Sequence, residues 1–162
     1  IARVQGAAYG GALGLICAAD IAVAADDARF CLSEVKLGIL PAVIAPYVVR
    51  ALGARQARRY VMTAEVIDAP RAGRLGLVHE VVPAAELDAT VEKLVTALLD
   101  GAPEAQLRAR ELVHRADDSA VSDGLIEYTA NLIAELRTGA EGQEGLGAFL
   151  EKRPPNWKPN RN

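Results

Sequence analysis

Apolar positions along this chain fall into two regimes. From Val4 to Val82 they come in short runs broken by glycine, proline and acidic residues, and from Ala85 onward they recur at three- and four-residue spacing. The first pattern predicts alternating strands and helices, the second a succession of helices. An opening strand breaks at Gly6 and again at Gly10-Gly11, after which the sequence is apolar on every side up to Asp20: strand, tight turn, buried helix. Asp20–Ala24 and Ala28–Leu32 read as two strands joined by the polar turn Ala25-Asp26-Asp27. Ala42–Leu52 is a helical window ended by Gly53, and Ala54–Thr63 is another helix. Asp68-Ala69-Pro70 combines an N-cap with a first-turn proline and starts a short helix that runs to Gly76. Leu77–Val82 is a strand closed by Pro83.

The second regime gives four helices over Ala85–Leu99, Pro103–Ala116, Ser122–Arg137 and Ala140–Lys152, separated by Gly101, by Asp117-Asp118-Ser119 and by Thr138-Gly139. The proline-rich tail Pro154–Pro159 excludes helix. The expected class is α/β, with a mixed core over residues 1–84 and a helical region over 85–162.

Composition narrows the function classes. The chain has 162 residues, 51% hydrophobic and 24% charged, enough for one ordinary domain with a real core. A net charge of −3 gives no support for nucleic-acid binding. Asp20 interrupts the longest apolar run before it reaches the roughly 18–20 residues that span a bilayer, so no membrane partner is expected. Cys17 and Cys31 sit in apolar contexts at a spacing that suits no metal motif; they read as buried thiols in a reducing, cytoplasmic setting, and no metal is expected. Arg55, Arg58 and Arg59 share one helix face and read as solvated, while His79 and His114 have no partner motif and read as structural. Asp20 is expected to cap nearby backbone.

Candidate chemistry begins at the glycine turn. Glycines let the backbone adopt positive φ and approach a bound group closely, and the first N–H groups of a helix have no intrahelical partner. Such donors at the positive end of a helix dipole suit a developing oxyanion. Glu34 follows an apolar strand, and a carboxylate beside an apolar, water-poor pocket can carry protons. A surface pairing of Glu34 with Lys36 is the alternative.

Taken together, Gly6-x-x-x-Gly10-Gly11, Asp20-Ile21-Ala22-Val23-Ala24 and Phe30-x-x-Ser33-Glu34-Val35-x-Leu37-Gly38-Ile39-x-Pro41 resemble the signature of the enoyl-CoA hydratase/isomerase (crotonase) superfamily. The resemblance implies a spiral of ββα units followed by a helical region that builds trimers or dimers of trimers. It implies an acyl-CoA thioester as partner, coenzyme A entering as part of the substrate and no separate cofactor. The thioester oxygen would sit between two backbone N–H donors, one of them from Gly11, and Glu34 would be the acid/base residue. Ala8, Tyr9, Gly10, Leu32 and Pro41 would line the substrate site, and Phe149 and Lys152, on neighbouring helix positions, would reach coenzyme A on an adjoining subunit. The alternatives there are a core Phe149 and a solvated Lys152. Ile1-Ala2-Arg3-Val4 looks like the middle of a strand, and the resemblance covers only the family's second half, so the other donor and much of the coenzyme A pocket are expected upstream.

Many family hydratases carry a second glutamate three residues after the oxyanion glycine, where this chain has Gly14. Together with the segment Pro41-Ala42-Val43-Ile44-Ala45-Pro46-Tyr47, this is similar to bacterial methylglutaconyl-CoA hydratases of leucine degradation. Loss of a like charge at position 14 would make room for a carboxylate on the acyl chain. The resemblance thus implies hydration of the 2,3 double bond of an acyl-CoA. A 3,2-enoyl-CoA isomerase with one glutamate, and a non-catalytic acyl-CoA-binding module, are the other readings.

Overall fold

The computed structural model describes residues 1–117 and 119–158. Asp118 of the predicted helix break and Pro159 of the predicted tail lie outside the described residues. Two compact units are present, one from Ile1 to Lys93 and one beginning at Leu94.

In the first unit the order is β1 (Ala2–Val4), β2 (Ala7–Tyr9), α1 (Gly11–Ala18), β3 (Ala22–Ala25), β4 (Arg29–Cys31), a 3₁₀ turn (Glu34–Leu37), α2 (Ala45–Thr63), β5 (Ile67–Asp68), α3 (Ala69–Arg74), β6 (Glu80–Val82), a second 3₁₀ turn (Ala84–Glu86) and α4 (Leu87–Leu99), whose last turns pass into the second unit. The strands form two three-stranded sheets. One is all parallel in the order β1-β3-β6; the other is β2-β4-β5, with β2 and β4 parallel and β5 antiparallel. Gly6, at φ 68°, is the corner where the chain leaves one sheet for the other. The sequence pattern merged β1 and this corner into a strand and a turn, and so missed β2. A three-residue strand bounded by glycines on both sides has no room to show a period.

β3 is central to its sheet, and every residue of Ala22–Ala25 is buried, which explains its continuous small apolar run. Leu13, Phe30, Leu32, Ile67, Val48 and Val78 are buried with it in one core. The break predicted at Gly53 is present: α2 kinks there at φ 70°, ψ 152°. Asp68 caps α3 as expected, its Oδ1 accepting the Arg71 N–H at 2.8 Å. The predicted strand Leu77–Val82 is shorter, because Leu77 and Val78 turn into the core ahead of β6.

The second unit holds α5 (Pro103–Asp117), α6 (Asp123–Thr138) and α7 (Ala140–Leu150). Ser122 caps α6 through its Oγ, and Glu141 of α7 accepts the Glu104 and Ala105 N–H groups at 3.1 and 2.9 Å, capping α5 from a neighbouring helix. Within this unit Leu132 and Ala148 are buried, whereas Val113, Ile133, Phe149 and Leu150 are exposed. The segment after α7 folds back: Glu144 accepts from Arg153 at 2.7 and 3.0 Å and from the Asn156 N–H at 2.9 Å, and Trp157 lies over Gly145.

Candidate active site

The site starts from strand register. Tyr9, the last residue of β2, pairs with Cys31, the last residue of the parallel strand β4, so both chains leave the sheet at the same edge. The Gly10 N–H donates to the Cys31 carbonyl at 2.9 Å, which extends the ladder one step. Gly10 then turns the chain at φ 54°, ψ −124°, a conformation that residues with a side chain rarely adopt. Its carbonyl accepts the Leu13 and Gly14 N–H groups at 3.0 and 3.4 Å. Gly11 and Ala12, first in α1, precede these donors, and no backbone acceptor among the described residues engages their N–H groups. The first turn of α1 contains no acidic residue of its own to offset the positive end of the helix.

Glu34 comes three residues after Cys31 and opens the 3₁₀ turn, which Gly38 closes in a left-handed conformation. A Cβ placed on Gly10 would lie 3.4 Å from Glu34 Oε1 and 3.9 Å from its Cδ. The carboxylate therefore rests against the turn that presents the free donors. Its Oε2 is buried and has no hydrogen-bond partner among the described residues. The surface pairing with Lys36 is absent: no ion pair joins the two among the described residues, and Lys36 is exposed. A helix-end donor and a proton carrier thus share one small region, a combination suited to stabilising an oxyanion while moving a proton beside it.

The remaining candidates separate. Ala8 and Leu32 are buried in the core, so a ligand meets them only through their main chain. Tyr9 is half-exposed beside the turn, and Pro41 is buried in the loop that follows the 3₁₀ turn. Phe149 is 80% exposed at the end of α7, which removes the reading of it as a core residue. Lys152 lies past the helix in left-handed backbone at φ 56°, so it is not the helical neighbour of Phe149 that the spacing suggested; α7 stops at Leu150 because the chain turns back there.

Gly14 requires a correction of another kind. A Cβ at this position would fall 2.1 Å from Ile44 Cγ2 and 2.5 Å from Ile44 Cβ. The missing side chain opens no space for a ligand; Ile44 occupies it. The sequence pattern assigns Ile44 no role. No signal in the sequence marks it, because Leu37, Ile39, Leu40 and Val43 of the same loop are equally apolar and stand exposed.

Other groups are structural. His79 Nδ1 accepts the Ala22 N–H at 3.0 Å and the His79 N–H donates to the Ala22 carbonyl at 2.8 Å, tying β3 to the residue before β6. Cys31 Sγ donates to the Ala64 carbonyl at 3.4 Å, and burial pushes the Cys17 thiol up to about 11. A cavity of about 180 Å³ lined by Ile16, Cys17, Arg50 and His79 lies at the far end of α1, and a depression of about 480 Å³ lies among Glu104, Glu135, Gly145 and Trp157 in the second unit. Neither is lined by Gly10, Gly11 or Glu34, so the chemistry is located by its functional groups and not by concavity. No group of three or more metal-ligating side chains occurs among the described residues, and no helix there is long and apolar enough to cross a membrane.

The chain is similar to known proteins over most of its length. An enoyl-CoA hydratase structure from Shewanella pealeana is 49% identical with a TM-score of 0.91, covering 95% of this chain and 57% of that one. The Mycobacterium bovis protein named "Probable enoyl-CoA hydratase echA8" is 37% identical over 158 residues, which are 97% of this chain and 61% of the relative. The mevalonyl-coenzyme A hydratase sidH of Aspergillus fumigatus is 33% identical over 165 residues, 99% of this chain and 60% of the relative. The chain therefore spans about three fifths of the length of these relatives. Residues 1–160 match the family described as enoyl-CoA hydratase/isomerase, and the mixed α/β core with its helical continuation is the fold of those neighbours. By sequence and by fold, the chain belongs to the enoyl-CoA hydratase/isomerase, or crotonase, family.

Proposed function

We propose that this chain carries the oxyanion turn and the acid/base residue of an enoyl-CoA hydratase. The observation that carries the reading is the contact between the Gly10 turn and a Glu34 carboxylate whose Oε2 is buried without a partner. An acyl-CoA thioester placed with its carbonyl oxygen on the Gly11 N–H would bring its α and β carbons past Glu34. The carboxylate takes a proton from water as the water oxygen bonds to C3, and the π electrons move to the thioester oxygen. Glu34, now protonated, returns that proton to C2 as the enolate collapses, so the sum is addition of one water. A single oxyanion donor contributes about 10²–10³ in rate, and general acid/base transfer about 10²–10⁴.

One carboxylate performs both transfers here because Ile44 fills the place from which a second would project. The same observation favours a second reading, a 3,2-enoyl-CoA isomerase, in which one base moves one proton and no water is added. For the acyl chain we favour a branched, carboxylated substrate of the methylglutaconyl type, supported by the similarity of the segment from Pro41 to Tyr47; the mevalonyl-CoA hydratase among the relatives supports the branching alone. The exposed apolar positions of α5, α6 and α7 support assembly into a trimer or dimer of trimers.

The test is a turnover assay on the full-length protein with crotonyl-CoA, methylglutaconyl-CoA and a 3-enoyl-CoA. Water uptake with Glu34→Gln reducing kcat/KM by about 10²–10⁴ and leaving thioester affinity within several-fold is the expected result. Thioester binding without turnover, unchanged in Glu34→Gln, overturns it in favour of a binding module, and double-bond migration without hydration favours the isomerase.

A further inference from the structure

The loop between Glu34 and α2 is almost entirely exposed: Leu37, Ile39, Leu40 and Val43 are 60–85% accessible. Two residues hold it down. Pro41 is buried, and Ile44 is half-buried against the core with its Cγ2 and Cβ in the space a side chain at Gly14 would need. Gly14 stands one helical turn beyond Gly10, the residue against which Glu34 rests. The loop is thus fastened to α1 at both ends, by Glu34 at the first turn and by Ile44 at the second. We infer that Ile44 is a positioning residue, which locks the Glu34 loop onto the helix that presents the Gly11 donor and so sets the spacing between proton carrier and oxyanion donor.

The socket is specific in shape. A separation of 2.1 Å between a built Cβ and Ile44 Cγ2 is far inside van der Waals contact, so only glycine at position 14 admits a branched residue at 44. The contact seats the isoleucine branch at the one position of the second turn of α1 that has no side chain. Catalytic positioning is steeply sensitive to such registry, with a displacement of about 1 Å costing about 100-fold. Removing the knob leaves both reacting groups in place chemically while freeing their separation.

This inference rests on the proposed hydratase reading, and the experiment separates the two. The full-length wild type, Ile44→Val, Ile44→Ala and Gly14→Ala are compared in kcat, KM and thermal midpoint, with kcat measured well below each midpoint. The expected pattern is kcat lowered about 10- to 100-fold in Ile44→Ala and Gly14→Ala with KM within about threefold, and kcat restored to within about threefold of wild type in Ile44→Val. Should Ile44→Ala fail to fold, Ile44→Leu, which moves the branch away from Gly14, gives the same split. An unchanged kcat in variants whose midpoint alone falls makes Ile44 a packing residue and overturns the inference while leaving the hydratase reading intact. A wild type that turns over no enoyl-CoA overturns both.

Discussion

Replacing Gly10 by alanine isolates the turn on which the account depends. At φ 54°, ψ −124° an alanine is strained by about 1–3 kcal/mol, whereas the new methyl at 3.4 Å from Glu34 Oε1 is an ordinary contact and adds little steric cost. With a urea slope of about 2 kcal/mol/M, that strain lowers the unfolding midpoint by about 0.5–1.5 M. Gly6→Ala is the internal control: it also sits at positive φ, 68°, but nothing lies within 4 Å of its added Cβ. Both variants lose stability; only Gly10→Ala puts a methyl between the turn and the carboxylate. Its kcat/KM is expected to fall at least 100-fold, equivalent to about 2.7 kcal/mol of transition-state stabilisation, while folded Gly6→Ala stays within a few-fold of wild type. Equilibrium urea unfolding and steady-state kinetics on the three proteins read both quantities. A stability loss below about 0.5 kcal/mol in Gly10→Ala, or equal activity losses in the two variants, would refute the reasoning.

Other consequences are independently measurable. Glu34→Leu removes a buried, unpartnered oxygen and is expected to raise unfolding free energy by about 1 kcal/mol while abolishing turnover, checked by urea unfolding. Cys17, its thiol held neutral by burial up to about 11, is expected to resist alkylation in the folded protein at pH 8; because its folded value lies above its unfolded one, the associated stability is complete below about pH 9 and is lost as pH rises toward 11, seen as a falling thermal midpoint. The Arg153 guanidinium beside Glu144 holds that carboxyl below its usual range, so the clip on the returning tail is present above about pH 4.5 and is lost as pH falls through the depressed folded value. Trp157 is the sole tryptophan, and its fluorescence is expected to report release of the tail on acidification, earlier in pH descent for no variant than for Glu144→Gln, which is released already at neutral pH.

Legibility in the sequence followed length and periodicity. The helices of the second unit begin within a residue or two of their expected starts because each runs three or four turns between polar or glycine breaks, and Gly53 announced a real kink. β2 and β5, of three and two residues, are held by partners distant in the chain and carry no local signal. At the site, the glycines at 10 and 11 and the carboxylate at 34 were readable as types, but their juxtaposition comes from the Tyr9–Cys31 register. Gly14 was readable only as an absence. That Ile44 fills it is a fact of packing between a loop and a helix thirty residues apart, which no one-dimensional pattern encodes. The end of α7 was overrun because Glu151 and Lys152 are good helix formers, and tertiary contacts of the returning tail overrode their propensity.

The most direct test is a crystal structure of the full-length protein bound to a non-reactive enoyl-CoA thioester analogue. The expected result is the thioester oxygen 2.7–3.1 Å from the Gly11 nitrogen, as a working oxyanion donor requires, with a Glu34 carboxylate oxygen within about 3.5 Å of the carbon that receives the proton. A thioester oxygen held by other groups, with Gly11 and Glu34 both beyond hydrogen-bond reach of the acyl chain, would contradict the account.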